Sequence, residues 1–342
     1  MRKMLIPTLP SICIVVFLSS FASAQVHYNL KDLGTLGGSQ SQALGINSAG
    51  DVVGLSTLAG DQITHPFLWT PAGGMQDLGG LGGAYAYATS VNAAQEVVGY
   101  SYQTSGPIHA FYWSQATGIL DVGSLSSTGD SWAFGINSSS QAAGFSYASD
   151  GHAHSFIWTQ AGGLQDIGIP ANETDSYGQN IDDLGRVVGA AMTNELTTEA
   201  FVWTKAGGYQ LLGTLAGGIS SYGYSIDDRG AVTGFADVGN TQYPHAFLWT
   251  KRSGIQDLGT LTGGSGDSSI GVGIGLSGEI VGYDSMGGAI VYSKANGLQN
   301  LNTLVNAQGW VITGATAVNA VGQIAGSGNN NGKLHAVLLT PQ

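Results

Sequence analysis

The sequence predicts an all-β protein: a seven-bladed β-propeller of four-stranded antiparallel blades, closed by an N-terminal strand that completes the C-terminal blade. Three observations carry this reading. Charged residues make up only 9% of the 342, and glycine contributes 55, which favours many short strands joined by tight turns over charged helices. Three motifs recur seven times in fixed order at a period of about 45 residues, the length of one propeller blade. The chain also opens on a segment that matches the end of a repeat and finishes on one that matches its middle.

The first 24 residues read as a secretory signal. Arg2 and Lys3 precede an apolar run from Ile12 to Leu18, and Ala22-Ser23-Ala24 forms a small-x-small cleavage site before Gln25. The run is too short to span a bilayer. The one cysteine, Cys13, lies in this leader behind Pro10-Ser11-Ile12, a poor lipoprotein box. Residues 25–342 therefore carry no cysteine, and neither a disulfide nor a thiol is expected there. No later segment is apolar enough for a transmembrane helix. The expected compartment is the periplasm or the cell exterior.

Residues 25–342 read as one domain. The first motif, His/Glu-small-Phe-apolar-Trp, begins at His65, His109, His154, Glu199 and His245, with degenerate copies at Gly288 and His335. The second, apolar-Asp-apolar-Gly, has its acid at Asp32, Asp77, Asp121, Asp166 and Asp257, with Leu211 and Asn300 in the matching places. The third, Asn/Asp-x-x-Gly-x-Val-Val-Gly with local variation, ends at Gly54, Gly99, Gly144, Gly189, Gly234, Gly282 and Gly326.

Each unit divides into four strand-like pieces, a to d. In the second copy these are 87–91, 96–101, 109–113 and 119–122, rich in Val, Ile, Phe, Tyr and Trp. No stretch sustains a 3.6-residue period, so helices should be nearly absent. Asn47-Ser48-Ala49-Gly50 places Asn first and Gly fourth, as a type I turn prefers between strands a and b. Both faces of strand c are apolar, as suits a sheet stacked between two others. The segment 28–33 matches strand d and 335–340 matches strand c. In a closed ring these two would pair and remove an open edge.

At these motifs the sequence resembles the HAF-repeat family of extracellular bacterial proteins, named for the His-Ala-Phe seen at 109–111 and 245–247. The resemblance covers essentially all of 26–342. It implies export and a propeller-like fold, and no established chemistry. Many relatives carry a C-terminal sorting tail with a hydrophobic span, which does not follow Pro341-Gln342.

Candidate chemistry is sparse. The net charge is −12, or −14 without the leader, with eight basic against twenty-two acidic residues. That argues against a nucleic-acid partner, which needs a basic stripe. The repeat histidines occupy one place per blade, too far apart to share a metal, and are expected to hydrogen-bond a neighbouring blade. His152-x-His154 lacks an evident third ligand. Asp182-Asp183 and Asp227-Asp228 could serve calcium, but each lies in a tight turn, where an Asp caps backbone amides. The Gly-rich strings at 36–38 and 81–83 are read as crossovers between blades. Trp69, Trp113, Trp158, Trp203 and Trp249 are repeat-equivalent and read as core. No cofactor is called for.

What varies between blades is the set of b–c and d–a loops, which emerge at one end of a propeller. Tyr85, Asp130, Trp132, Glu173, Asp175, Tyr177, Tyr222, Asp267 and Trp310 are placed in d–a loops, aromatics beside acids, as candidate ligand-binding residues. The expected function is a secreted, non-enzymatic binding or scaffold module whose partner is a glycan, a peptide or an envelope protein. The alternatives are a glycan lyase or hydrolase with converging carboxylates at the channel mouth, and a purely structural surface or matrix component. One expectation is directly measurable: N-terminal sequencing of the exported protein should begin at Gln25, and a start at Met1 would show the leader to be retained.

Overall fold

The computed structural model describes residues 25–239 and 243–342, so the leader read over 1–24 lies outside the described residues. Twenty-eight strands form four-stranded antiparallel meanders. In the second blade, strands a to d are Gly82–Val91, Val97–Gln103, Ile108–Ser114 and Gly118–Gly123. The first and second blades are further joined by a single parallel bridge from Thr64 to Tyr85. A 3-10 turn at Leu301–Thr303 is the one helical element among the described residues.

The ends of the described chain meet. Tyr28–Asp32 pairs antiparallel with Lys333–Pro341, from Tyr28 opposite Pro341 to Asp32 opposite Val337. This terminal blade then packs on the first. The Ala336 amide donates to Ser41 Oγ at 2.9 Å, and Thr316 Oγ1 donates to the Ala43 carbonyl at 3.0 Å. The split repeat seen in the sequence is thus one blade, numbered seventh below.

Strand c supplies the core because both its faces are apolar. Phe67, Phe111, Phe156, Phe201 and Phe247 are fully buried, with Trp69, Trp113, Trp158 and Trp249 nearly so. Each hydrophobic cluster draws on two adjacent blades: Val53 and Leu68 of the first blade pack with Val97 and Phe111 of the second. Burying one such phenylalanine stabilises by about 1.5–3 kcal/mol, so blade stacking, more than any single sheet, holds the ring.

The terminal glycine of Val-Val-Gly has a steric cause. A Cβ on Gly99 would lie 1.9 Å from the Tyr87 carbonyl oxygen, and one on Gly144 1.8 Å from that of Trp132. Strand b passes this close because strand a bulges there. The register slips between Ala88 and Ser90 and between Ala133 and Gly135, with equivalent slips in the other blades. The residues skipped are Leu44, Thr89, Phe134, Gln179, Tyr224, Val272 and Thr316.

The Asn/Asp-x-x-Gly turns do more than reverse the chain. Asn92 Oδ1 accepts from the amides of Ala94 and Glu96, both at 3.0 Å, and its Nδ2 donates to the carbonyl of Asn137 in the next blade at 3.1 Å. Asn47 donates likewise to Asn92, Asn137 to Asp182, and Asn319 of the last blade to Asn47 of the first. Asp182 has no amide to donate, and Arg186 replaces it. Its guanidinium pairs with the Asp182 carboxylate and reaches the carbonyls of Asp227 and Asp228 in the fifth blade. The carboxylates read as calcium candidates are therefore engaged in the turns. Asp182 Oδ1 holds the amides of Leu184 and Arg186, and Asp228 Oδ1 holds that of Asp183.

The repeat histidines correct one expectation. Their partner lies in the same blade: His109 Nδ1 is 2.8 Å from Asp121, and His65, His154 and His245 meet Asp77, Asp166 and Asp257 in the same way. The reason is register, since the histidine opens strand c and the aspartate closes strand d beside it. In the seventh blade the pair is His335 with Asp32, so it ties the two termini. Each aspartate also caps the amide two residues on, as Asp121 does for Gly123 at 2.7 Å. Where Glu199 stands for the histidine and Leu211 for the aspartate, Glu199 takes the Gly213 amide directly at 2.8 Å. Asn300 caps Asn302 unaided. The invariant is the capped amide.

Asn92→Ala should lower unfolding free energy in urea by about 2 kcal/mol or more, because it leaves a buried carbonyl and two turn amides short of a partner. The exposed neighbour Ser48→Ala should stay within about 0.5 kcal/mol.

Candidate functional site

Starts of strands a and c and ends of strands b and d meet at one end of the ring; the a–b and c–d turns form the other. The predicted residues gather at the first, loop-rich end. Tyr85, Trp132, Asp175, Tyr177, Tyr222 and Trp310 lie inside strand a, whose starts reach further back than the sequence suggested, while Asp130, Glu173 and Asp267 lie just before it. The extension arises because each start pairs with the end of strand b, as Gly82 does with Gln103.

The acids among them are mostly structural. Asp130 Oδ1 accepts the Ile108 amide at 2.7 Å and Asp175 Oδ1 that of Ala153 at 2.8 Å, each binding its blade to strand c of the preceding one. Asp267 is buried against the Thr262 hydroxyl and the Gly264 amide. A serine works beside them. Ser131 Oγ accepts the Ala110 amide at 2.8 Å, and Ser176, Ser221 and Ser269 repeat the bond. These serines escaped the sequence reading, although they recur at one place in strand a.

Glu173 differs. One carboxylate oxygen is buried with no hydrogen-bond partner. Burial, then the charge of Glu199, pushes its carboxyl above the usual range.

The aromatics form one surface. Tyr85 and Tyr102 meet edge to face at 5.8 Å and are 46% and 41% exposed. Trp132 contacts Tyr147 at 6.1 Å and Phe145 at 4.8 Å, and Phe145 meets Tyr177 of the fourth blade edge-on at 5.0 Å. Deeper, Tyr87 packs on Tyr100, Tyr100 on Phe134, and Phe134 on Phe145. The wall thus runs from an exposed rim inward across the second to fourth blades. Gln179 carries it on by a 2.9 Å bond to the Tyr222 hydroxyl, beside Tyr224 and Phe235. Trp310 stands apart, 6.3 Å from His335. Sequence reasoning found Tyr85, Trp132, Tyr177 and Tyr222 but missed Tyr87, Tyr100, Tyr102, Phe145 and Tyr147. Their signal was available: aromatic residues fill paired a and b positions where the seventh blade has Gly314 and Ser327.

Below the wall lies the central channel, a cavity of about 440 Å³. The bulged residues line it, Leu44, Thr89, Phe134, Gln179, Tyr224, Val272 and Thr316, together with Tyr100. Among the described residues no carboxylate, imidazole or amine lines it. It can accept hydrogen bonds, donate them and stack on a ring, but it cannot neutralise a charge.

Burial, with the neighbouring Tyr87 and Tyr102, pushes the Tyr100 hydroxyl up to about 12. Burial likewise raises Tyr177 to about 12, helped by the charge of Asp175. Both phenols are neutral hydrogen-bonding groups at any physiological pH.

No family model matches the chain, and no curated protein matches it. Its fold is similar to that of several solved β-propellers. Virginiamycin B lyase from Staphylococcus aureus superposes with a TM-score of 0.60 at 11% identity, covering 92% of this chain and 99% of that one. The propeller domain of the Trilobed protease from Pyrococcus furiosus gives 0.57 at 9% identity, over 92% and 97%. A puromycin hydrolase gives 0.59 at 10%, over 90% of this chain and 54% of that one. At such identities the likeness shows the fold alone. Among the described residues no helix is long and apolar enough to cross a membrane.

The raised tyrosines make stability pH-dependent in a stated direction. Their folded pKa exceeds the unfolded value near 10, so their contribution is intact below pH 10 and is lost as pH rises towards 12. Phenolate absorbance should resolve an exposed class and a late-titrating class. Tyr100→Phe should remove one group from the late class and flatten the alkaline fall in stability.

Proposed function

We propose that this chain is a non-enzymatic binding module of the periplasm or cell exterior that takes its ligand at the loop-rich end. The continuous aromatic wall from Tyr85 and Tyr102 at the rim to Phe134 in the channel carries the reading. Large exposed aromatics on a rigid frame supply contact area at low entropic cost. A stacked ring of blades is such a frame. Two of the predicted acids at this end, Asp130 and Asp175, are bound to backbone amides, which suits orientation of the wall better than proton transfer. The resemblance to exported repeat proteins supports the compartment. A glycan, a peptide and an envelope protein all suit a surface of this kind.

Glu173 favours a second reading, hydrolysis or elimination, because burial and the charge of Glu199 raise its proton affinity, the direction a general acid needs. Glu199 already holds the Gly213 amide, which leaves it a poor partner for that chemistry.

An array of oligosaccharides and short peptides tests the first reading. Binding to the wild-type chain should weaken about thirtyfold when Tyr85 and Tyr102 are changed to Ala, as expected for loss of about 2 kcal/mol at an aromatic anchor. Unchanged binding would sink it. Turnover of a bound glycan that Glu173→Gln abolishes would establish the second.

A further inference from the structure

The charge of this protein is divided between its two ends. Of the eight Lys and Arg residues beyond position 25, Arg186, Lys205, Arg229, Lys251, Arg252 and Lys294 all sit at the a–b and c–d turns. Lys31 lies mid-strand over Trp69 of the first blade, 5.2 Å from its ring. Lys333 alone is left at the loop-rich end. The acids follow no such restriction. At the turn end Asp182 and Asp227 are matched by Arg186 and Arg229. At the loop-rich end Asp61, Asp150 and Glu195 stand on the b–c loops, Asp237 closes a strand b, Asp130 lies just before strand a and Asp175 opens one. The strand d aspartates add to them, paired with histidines and with backbone amides but with no lysine or arginine among the described residues. Nearly all of the uncompensated negative charge therefore surrounds the aromatic wall.

Two of the exposed loop acids are held in their charged form, while burial raises Asp237. The Thr57 hydroxyl and the Ser39 amide hold Asp61 below the usual carboxylate range, and the His152 amide does the same for Asp150. Fields from such a rim add over a Debye length of about 8 Å and steer an oppositely charged partner.

Given the wall as the ligand site, we infer that its occupant is a basic peptide segment: lysines or arginines flanking an aromatic or aliphatic residue. The arrangement separates two chemistries. The channel and inner wall carry no charge to meet a cation, so they suit an apolar side chain. The rim carries charge and exposed rings, which suit ammonium and guanidinium groups. An extended peptide presents both within a few residues. A cationic polysaccharide offers the charge on every unit without the apolar anchor.

Fluorescence anisotropy with the full chain tests this. The probe is a labelled twelve-residue peptide with lysines on both sides of a central Trp. Counterparts carry serine or glutamate in place of lysine, and a chitosan oligomer serves as the sugar arm. The lysine peptide should bind, and affinity should fall more than about tenfold between about 20 and 300 mM salt. Asp61→Asn, Asp150→Asn and Glu195→Gln combined should weaken it about fivefold. The Asp→Asn changes retain the side-chain oxygens that accept the Ser39 and His152 amides. Tyr102→Ala should weaken it independently, and the glutamate peptide should not bind.

Equal binding of the serine peptide, or indifference to salt, overturns the cationic assignment. If Tyr102→Ala still weakens that binding, the wall stands as a ligand site. Binding of chitosan without the lysine peptide overturns the choice of a peptide. Lysine-peptide binding untouched by Tyr102→Ala overturns the seating on the wall, and if no probe depends on Tyr102 the binding-module reading falls as well.

Discussion

Amides satisfied across blade boundaries are the constraint on which this ring depends. A propeller blade alone leaves turn carbonyls and strand-start amides facing a dry neighbour, where an unpaired polar group is costly. Here one asparagine side chain serves its own turn and the next blade's carbonyl. One serine or aspartate at the start of strand a serves strand c of the blade before. Hydrophobic stacking supplies the larger energy, but it is indifferent to angle. The directional bonds set the rotation from blade to blade, and a fixed rotation is what brings the seventh blade back to the first.

Much of this was legible in the sequence because it repeats. Strand order, turn positions and the shared terminal blade follow from motif order alone. An Asp capping turn amides was foreseen for Asp182 and Asp227, which do so, and Asp121 does the same at the end of strand d. The histidine's partner was misjudged because a motif alignment compares equivalent residues between blades and does not show which non-equivalent ones become neighbours. His109 and Asp121 belong to different motifs and meet only through the c–d register. The serine staples were overlooked for a related reason: a small polar residue inside an apolar strand carries little pattern of its own.

The candidate site was half visible. Loops were expected to bear the variable chemistry, and its aromatic part proved to lie in strands. Tyr100 and Phe145 sit in strand b, where β-propensity accounts for an aromatic without further comment. Only their juxtaposition with Phe134 and Trp132 across the bulge makes a surface. The exchange of His and Asp for Glu199 and Leu211 carries the complementary lesson. Residue identity changes at two places together while one hydrogen bond to one backbone amide persists.

The bulge separates architecture from chemistry. The residues on either side of each skipped position are small or tied into the ladder, and the facing glycine leaves no room for change. The skipped residue itself lines the bore and has no ladder partner, though the side chains of Thr89, Gln179 and Thr316 bond neighbouring strands. Seven such positions hold leucine, threonine, phenylalanine, glutamine, tyrosine and valine within a single molecule. The scaffold thus already tolerates apolar, hydroxylic, amide and aromatic inserts at equivalent sockets, so its inner lining can be rewritten one blade at a time without disturbing the masonry around it.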